Sequence, residues 1–458
     1  MKKEKKKIFV IVGAVVACLA VVYVGFGIFF QSHFCFGTTI DGIKAGGKSV
    51  EKVEQLITEE IDSYVLNLAE REDGSESISG ESIQIAPVFN GEVEELLNGQ
   101  NGFAWVVTLF KHDNLELAKV VTFDEDALDS QIDQLNCMQA SEQREPVDAT
   151  VSAYTADGYS LVPADYGTTI DKNTFKKAVE DSILVLADEL DLDEADCYVK
   201  PEIEDDNEKL LAVIDEMNSY VGTTITYDFD VAKEVLDGER ISEWLSVDDD
   251  LNLVVDEEGV LSFVKELASE YNTCYKPKEL KTSYGSTVTI SNGPYGWKIN
   301  NSEEVAQILD DLKAGKKVER EPVYAQTANS HGENDYGNSY VEINLTAQHL
   351  FLYKDGVLVT ESDFVSGNVA KGHATPGGAF MLTYKTLNAV LRGPDYETPV
   401  TYWMPFNGDI GMHDLTSRKA FGGDIYKTRG SHGCINLPYS AAKKIYETID
   451  KGYCVLVY

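Results

Sequence analysis

The chain has 458 residues, which is too long for one ordinary domain, and it is 43% hydrophobic and 25% charged. That balance is typical of folded globular protein rather than of disorder. The formal net charge is −38; residues 339–458 are neutral and residues 1–7 carry +4, which leaves −42 on residues 8–338. Because so acidic a surface repels the phosphate backbone, nucleic-acid binding is excluded as a main function.

The first thirty residues have the pattern of a membrane anchor. Residues 8–30 carry no charge, and these 23 residues exceed the about 20 needed to cross a bilayer. Five lysines precede them, so the positive-inside rule predicts a cytoplasmic tail at 1–7, a transmembrane anchor at 8–30 and an extracellular remainder. A cleaved signal peptide is the alternative, but no small-x-small site closes the apolar run. We therefore predict a retained, single-pass anchor.

The seven cysteines are too few and too scattered for a disulfide framework, although Cys137 and Cys197 could pair. Cys454 lies in a strand-like run at the C-terminus, so we expect a buried thiol there. No CxxC or histidine-rich spacing indicates structural zinc. The sequence therefore predicts neither a metal nor a cofactor.

A short motif recurs in the acidic region. Gly-Thr-Thr-Ile-Asp occupies residues 37–41 and 167–171, and Gly-Thr-Thr-Ile occupies 222–225. The repeat predicts two related α+β modules, at 31–202 and 203–323. Two interpretations of these modules remain open: a spacer that holds the last domain away from the membrane, or a surface that binds a polymer.

Local patterns complete the organisation. A helix pattern covers residues 302–312, with Ser302 as the expected N-cap before two glutamates. The polar stretch 324–338 is rich in Asn, Gly and Ser and predicts a linker. Beyond it, alternating strands, a hairpin turn at Lys354-Asp355-Gly356 and one clear helix at 440–450 predict a mostly β domain over 339–458.

The residues with chemical potential lie in that last domain. Ser431-His432-Gly433-Cys434-Ile435-Asn436 places a thiol beside a glycine, and Gly411-Met412-His413-Asp414 lies upstream. A cysteine nucleophile needs a neighbouring base, because a free thiol is mostly protonated near neutral pH. His413 precedes Cys434 by 21 positions, so only the fold can bring the two side chains together.

Four landmarks in this order resemble the catalytic domain of the L,D-transpeptidases, the YkuD-type domain of bacterial cell-wall assembly. They are Gln348-His349-Leu350, Thr375-Pro376-Gly377-Gly378-Ala379-Phe380, Ile410-Gly411-Met412-His413 and the segment from Ser431 to Asn436. The anchor and the acidic modules, which end in a Tyr-Gly-Trp-Lys-Ile-Asn element at 295–300, resemble the candidate peptidoglycan-binding modules of Gram-positive members.

The resemblance implies roles for individual residues. Cys434 would be the nucleophile and His413 the base, together forming a thiolate–imidazolium pair, with the backbone carbonyl of Asp414 orienting the imidazole. The N–H groups of Gly433 and Cys434 would stabilise the oxyanion, and His432 would support the site or act as an alternative base. The candidate substrate-binding residues are Ser431, Arg429, Tyr402, Trp403 and Asn436.

Each substrate-binding candidate also has an ordinary structural interpretation. Ser431 could simply start a turn, and Arg429 could pair with a local acid. Tyr402 and Trp403 could belong to the aromatic core, and Thr375 and Gly378 are expected to shape a turn rather than act chemically.

The resemblance further implies a reaction. Cys434 would attack the L-configured end of the diamino acid in a tetrapeptide stem, D-Ala would leave, and a thioester would form. An amine of a second stem would then complete a 3→3 cross-link, whereas water would make the enzyme an L,D-carboxypeptidase. The partners are thus peptidoglycan stem peptides and the membrane, and carbapenem-type β-lactams are expected to acylate the thiol.

Three other hypotheses compete with this one. A catalytically silent wall-binding scaffold would have lost Cys434 or His413, and both are present. A sortase-like enzyme would show a Leu-x-Thr-Cys strand and a later arginine, which the sequence lacks. A metallopeptidase would use His413, His432 and Cys434 around zinc, and would need a carboxylate base.

Overall fold

The structure is a computed structural model that describes residues 2–118, 120–332, 334–393 and 396–458. The chain divides into two compact units, the first formed by residues 1–150 and 161–207, the second by residues 151–160 and 208–458. The multidomain class predicted above is confirmed, with an N-terminal apolar helix, mixed modules and a C-terminal β domain. The boundaries predicted at 202, 323 and 338 stay predictions.

The first unit combines short helices with small sheets, among them β2-β1-β6 and β10-β3-β4. Its helices are α1 (Lys2–Phe29), α2 (Val50–Asp62), α3 (Glu92–Asn98), α4 (Trp105–Thr108), α5 (Glu125–Ile132) and α6 (Lys172–Leu184). The strands between residues 39 and 191 are β1 (Thr39–Ile40), β2 (Ile43–Lys44), β3 (Val65–Ala69), β4 (Ser75–Ser79), β5 (Ala86–Pro87), β6 (Asn114–Leu115), β7 (Val121–Thr122), β8 (Thr150–Val151), β9 (Leu161–Val162) and β10 (Glu189–Asp191).

Helix α6 shows how the sequence builds this unit. Asp171, the last residue of the second repeat copy, is its N-cap and accepts a hydrogen bond from the N–H of Thr174. The helix buries Phe175, Val179 and Ile183, which are spaced four residues apart on one face. These three side chains pack into the hydrophobic core of the unit.

Helix α1 ends inside this unit. Among the described residues it is the one helix long and apolar enough to cross a membrane. Phe30, directly after it, is fully buried, and its carbonyl accepts a hydrogen bond of 2.7 Å from the Gln100 side chain. The same amide also donates to the carbonyl of His33 at 2.7 Å. The C-terminal end of the apolar helix is therefore part of the folded unit.

The second unit begins with a helical module that surrounds its own apolar core. Its helices are α7 (Glu208–Val221), α8 (Gly238–Ser242), α9 (Glu257–Tyr271) and α10 (Asn301–Lys313). Its strands are β11 (Thr224–Asp228), β12 (Lys233–Leu236), β13 (Leu245–Val247), β14 (Leu253–Val255), β15 (Lys278–Lys281), β16 (Thr287–Ile290), β17 (Lys298–Ile299), β18 (Lys317–Arg320) and β19 (Tyr324–Gln326).

The expected N-cap of α10 was wrong. The helix begins at Asn301, one position before the predicted start, and its N-cap is Asn300, which lies two positions before Ser302 and accepts from the N–H of Glu303. Ser302 lies in the first turn and donates its hydroxyl to Asn300 at 3.1 Å. Both residue types favour the N-cap position, so the sequence alone could not choose between them.

Two neighbouring residues of the segment 324–338 are buried. Asp335 and Tyr336 are 5% and 4% exposed, and Asp335 forms an ion pair with the equally buried Lys278. The Thr273 hydroxyl also donates to Asp335 at 2.5 Å. A charged side chain can be buried when an opposite charge is buried with it, and the linker over 324–338 stays a prediction.

The C-terminal part of this unit is mostly β, as predicted. Its strands are β20 (Tyr340–Asn344), β21 (His349–Lys354), β22 (Val357–Asp363), β23 (Gly378–Met381), β24 (Thr386–Gly393), β25 (Tyr396–Asn407), β26 (Ile410–Asp414), β27 (Ile435–Leu437) and β28 (Cys454–Val457). They form one sheet in the order β22-β21-β20-β28-β23 and another in the order β24-β25-β26-β27. The helices here are α11 (Ile425–Arg429) and α12 (Tyr439–Thr448).

Two sequence patterns of this part are confirmed. Asp355 and Gly356 join β21 to β22 with positive φ angles of 51° and 78°, which is the backbone that a two-residue hairpin turn needs. Helix α12 buries Ala441, Ala442 and Ile445 against the core between the sheets.

All seven cysteines are free thiols. The pairing of Cys137 with Cys197 that the sequence left open is therefore not made. Cys454 is fully buried, as its strand-like context predicted.

Candidate active site

The site is built where two parallel strands lie side by side. Strand β26 pairs with β27 so that Met412 is opposite Ile435 and His413 is opposite Asn436. Cys434 is the residue directly before β27, at the end of the loop that leads into it. The pairing thus brings His413 and Cys434 to one edge of the sheet, although 21 positions separate them in the sequence.

The loop before Cys434 is shaped by Ser431. Its hydroxyl donates to the carbonyl of Cys434 at 2.6 Å and accepts the N–H of Gly433 at 3.0 Å. Gly433 has a φ angle of +131°, a conformation that favours glycine. Because its N–H is already bonded to Ser431, the expected oxyanion role of Gly433 has no support here. The N–H of Cys434 remains the candidate donor within the described residues.

Thr375 ties this loop to the turn that precedes β23. Its buried hydroxyl donates to the Gly433 carbonyl at 2.6 Å and accepts the N–H of Gly367 at 3.0 Å. Thr375 therefore shapes its turn, as expected, and also fixes the backbone of Gly433, the residue before Cys434.

We expect Thr375→Val to lower kcat more than Thr375→Ser does, with little change in KM. The valine keeps the shape but leaves the Gly433 carbonyl and the Gly367 N–H unsatisfied, at a cost of about 1–3 kcal/mol per buried group. Chemical denaturation gives the loss of stability, and turnover at saturating substrate gives the loss of positioning. Equal kcat values for the valine and serine variants would contradict this role.

His413 is 4% exposed, and its ring is held from one side. Nδ1 bonds to the backbone carbonyl of Asp414 at 2.9 Å, which leaves Nε2 as the nitrogen that can accept a proton. The Asp414 carboxylate is used elsewhere, because one oxygen accepts the N–H groups of Thr401 and Tyr402, each at 2.8 Å. The orienting group is thus a backbone carbonyl, and the carboxylate is not part of the site.

The environment favours the uncharged forms of both reacting groups. Burial lowers the pKa of His413, and the nearby Asp414 opposes this shift without reversing it. Burial raises the pKa of the Cys434 thiol, against a hydrogen bond from the backbone of Gly411. Both shifts favour the neutral thiol and the neutral imidazole over the charged forms, and the resting thiolate–imidazolium pair stays a prediction.

A cavity of about 200 Å³ opens at this edge of the sheet. Cys434 and His413 both line it, together with three other residues predicted for the site, Ser431, His432 and Asn436. Its lining residues are Leu391, Thr398, His413, Leu415, Arg418, Gly430, Ser431, His432, Cys434 and Asn436. Asn436 is 3% exposed and its Oδ1 has no hydrogen-bond partner among the described residues, so it is available to a ligand.

Three of the predicted substrate-binding residues do not line this cavity. Tyr402 belongs to the hydrophobic core, where its ring packs 5.4 Å from Tyr439, and the bond between their hydroxyls raises its pKa to about 12. Trp403 packs 5.9 Å from the His413 ring and supports it. Arg429 is exposed at the end of α11.

Arg418 lines the cavity and was missed by the sequence analysis. Its Nη2 donates to the carbonyl of Arg429 at 3.0 Å, while its Nε is buried without a partner among the described residues. Burial and the charge of Arg429 lower its pKa. No sequence signal distinguished it from its neighbour Lys419 or from Arg429, because none of the three belongs to a recognised motif.

The geometry does not gather the donors that a zinc peptidase would need. Among the described residues, the group whose ligand atoms lie within 4.8 Å of one another consists of Glu70, Glu76 and Cys137. That group lies in the first unit. His413, His432 and Cys434 form no such group.

Cys434 follows a glycine turn whose backbone is held by the Ser431 hydroxyl. His413 lines the same cavity and is oriented by a backbone carbonyl. This arrangement is the one expected of a cysteine acyltransferase. Residues 338–457 match the family model of the L,D-transpeptidase catalytic domain. Residues 206–320 match a model described as a peptidoglycan-binding domain. Among curated proteins, no sequence matches the chain significantly.

Solved structures of Enterococcus faecium proteins match the same region. A crystal structure of its L,D-transpeptidase, a cysteine-to-serine mutant, is 32% identical over 54% of this chain and 99% of that chain, with a TM-score of 0.45. The NMR structure of the E. faecium catalytic domain acylated by ertapenem is 43% identical over 26% of this chain and 97% of that chain, with a TM-score of 0.25. On this sequence identity, the chain belongs to the L,D-transpeptidase family and acts on peptidoglycan.

Proposed function

We propose that this enzyme forms 3→3 cross-links between peptidoglycan stems through a thioester on Cys434. The observation that carries the proposal is the shared cavity of Cys434 and His413, with Nδ1 of the histidine committed to the Asp414 carbonyl. In that arrangement the Cys434 thiol is the nucleophile and His413 is the base, with Nε2 as the nitrogen that accepts the proton. It needs no cofactor.

The first half of the reaction transfers the donor stem to the enzyme. Nε2 of His413 takes the thiol proton as the sulfur of Cys434 attacks the donor carbonyl, and the Cys434 N–H stabilises the resulting oxyanion. The C–N bond to D-Ala then breaks, and His413 returns the proton to the departing amine. The donor tripeptide remains bound as a thioester.

The second half reverses these roles. An amine of a neighbouring stem gives its proton to His413 and attacks the thioester, which restores the thiol and leaves an amide between two stems. Water in place of the amine would release a tripeptide, and the enzyme would then be an L,D-carboxypeptidase. Carbapenems would acylate the same sulfur, as the ertapenem adduct of the E. faecium domain suggests.

Arg418 is our candidate for binding a substrate carboxylate, in place of Arg429. The free carboxylate of D-Ala lies only three bonds from the scissile carbonyl, and Arg418 lines the same cavity of about 200 Å³ as Cys434. Its buried, unpartnered Nε offers a charge-assisted hydrogen bond.

Arg418→Met should raise KM for a tetrapeptide donor about tenfold or more, since a hydrogen bond to a charged group contributes about 1.5–3 kcal/mol. The wild type should also discriminate against a donor that ends in D-alaninamide, and this variant should not. Arg429→Met, which removes the neighbouring exposed guanidinium, is the matched control with a small expected effect. A larger effect in that control, or unchanged discrimination in Arg418→Met, would contradict the assignment.

We further propose that α1 is a retained single-pass anchor with its N-terminus inside and the catalytic part at the wall. Cleavage of a signal peptide after the apolar run would remove the surroundings of Phe30, which is fully buried and bonded to Gln100. A fold that incorporates the end of the helix supports retention.

The module that matches the peptidoglycan-binding model offers a place for a wall polymer. A cleft of about 790 Å³ lies between α9 and α10, and its lining includes Glu257, Leu261, Lys298, Asn301 and Val305. Under this proposal the module holds the stems near the catalytic domain. A wall polymer bound in this cleft would favour the polymer-binding interpretation of the module over the spacer interpretation.

The test is to incubate the detergent-solubilised full chain with a disaccharide-tetrapeptide and to identify the products by mass spectrometry. Cross-linked dimer with release of D-Ala would support the transpeptidase, and tripeptide alone would favour the carboxypeptidase. Unchanged substrate, with a chain that still binds isolated cell wall, would favour the silent scaffold.

A further inference from the structure

A run of exposed apolar side chains lies in the first unit, close in sequence to Gln100. Within residues 103–110, five large apolar side chains are exposed, and Phe110 reaches 86%. The other four are Phe103, Val106, Val107 and Leu109, which are 39–60% exposed. Single exposed apolar residues are common, but a contiguous patch marks an interaction surface. We call residues 103–110 the juxtamembrane segment.

This segment is attached to the outer end of α1. The indole N–H of Trp105 donates to the carbonyl of Tyr23 at 3.1 Å, and the Tyr23 hydroxyl donates to the carbonyl of Phe103 at 2.7 Å. The Trp105 ring also packs 4.9 Å from the ring of Phe26. Gly27 is buried against Phe103 so closely that a Cβ there would lie 2.3 Å from the ring.

The position of these contacts along α1 sets the depth of the segment. Tyr23 lies fifteen residues after Ile8, the first residue of the uncharged run, which is about 22 Å along a helix axis. The hydrocarbon layer of a bilayer is about 30 Å thick. If α1 spans the membrane, groups beside Tyr23 and Phe26 therefore lie within the outer third of that layer.

The backbone of the segment suits such a position. Residues 102–104 form a short 3-10 helix that continues into α4, and the N–H groups of Phe110 and Lys111 both donate to the Val107 carbonyl at 3.1 Å. A hydrogen-bonded backbone can enter an apolar layer without leaving polar groups unsatisfied. Tryptophan, as at position 105, is enriched at the membrane–water boundary.

We propose that the juxtamembrane segment inserts into the outer boundary of the lipid bilayer and holds the first unit against the membrane surface. The partner is the bilayer itself, because the exposed apolar side chains are continuous with the anchor. The proposal rests on α1 being a retained span. It assigns the segment a function that is separate from catalysis.

The test uses tryptophan fluorescence in liposomes of phosphatidylcholine with brominated acyl chains, which quench indoles in contact with lipid. The full chain carries Trp105→Phe, so its three remaining tryptophans are buried ones of the second unit, Trp244, Trp297 and Trp403. Into this background one probe at a time is introduced: Phe110→Trp for the segment, Val16→Trp for the span, and Val185→Trp as the control. Val185 is 75% exposed in the same unit but outside the segment.

We expect brominated lipid to quench the indoles of the Phe110→Trp and Val16→Trp variants several-fold more than that of Val185→Trp. Quenching of Val16→Trp alone would overturn the proposal while leaving the anchor intact. Quenching of neither would show that α1 is not inserted. If the Phe110→Trp indole is shielded from both brominated lipid and aqueous acrylamide, another protein surface covers it, and the lipid assignment fails.

Discussion

Cys434→Ala should abolish release of D-Ala and formation of cross-linked product, with a fall in kcat of at least about 10⁴-fold, the scale seen when a nucleophile is deleted. The sulfur is the atom that carries the acyl group in the proposed reaction, and alanine offers no substitute. Because Cys434 lies in a loop at the cavity and is partly exposed, loss of its thiol should leave the fold unchanged. Product analysis at matched enzyme concentration measures the loss.

Cys274→Ala is the matched control, since it removes another free and partly exposed thiol of the same unit. It should retain wild-type activity. If Cys434→Ala kept more than a small fraction of the activity, and its thermal unfolding matched the wild type, another residue would have to be the nucleophile.

His413→Gln should lower kcat/KM by about 10²–10⁴-fold, the usual contribution of a general base. Burial lowers the pKa of His413 below its ordinary value of about 6.5. The imidazole therefore stays neutral and able to accept a proton down to a pH below 6.5, and wild-type activity should fall only as the pH drops through that lowered pKa. In the variant this acid limb should be absent.

His349→Gln provides the comparison, because His349 lies on β21 and is paired with Asp363 outside the cavity. It should keep both the activity and the acid limb. An acid limb that persists in His413→Gln, or that is centred above pH 6.5 in the wild type, would argue against His413 as a buried neutral base. His432, which also lines the cavity, would then become the candidate.

Much of the catalytic domain could be predicted because its patterns are local. The hairpin at Asp355-Gly356 and helix α12 follow from turn chemistry and apolar spacing. The candidate nucleophile and the candidate base were identified from short motifs whose order along the chain resembles that of a known family, and their roles stay predictions. The orientation of His413 by the Asp414 carbonyl followed from the same resemblance.

The functions of Tyr402 and Trp403 could not be predicted, because they depend on which face of a strand each residue occupies. Tyr402 and Trp403 are neighbours on β25, so their side chains point to opposite faces, and only Trp403, which pairs with His413 across the strands, can support the base. Choosing between the two required the register of β25 and β26. A shift in that register occurs between Pro405 and Asn407, and nothing in the sequence marks it.

The remaining errors concern groups that act over long separations in the sequence. The Thr375 hydroxyl reaches Gly433 across 58 positions, and no local pattern predicts such a bond. The direction of the pKa shifts at Cys434 and His413 depends on how deeply the folded chain buries the two side chains. Burial of this kind is a property of packing rather than of motif.

The acyl-enzyme on Cys434 is the intermediate on which the proposed reaction depends. The most direct measurement is the intact mass of the full chain after rapid mixing with a tetrapeptide donor and acid quenching, without an acceptor amine. The account predicts a mass increase equal to the donor minus D-Ala, located on the peptide that contains Cys434 and removed by hydroxylamine. An adduct on another residue, or D-Ala release with no adduct on Cys434 at any quenching time, would contradict it.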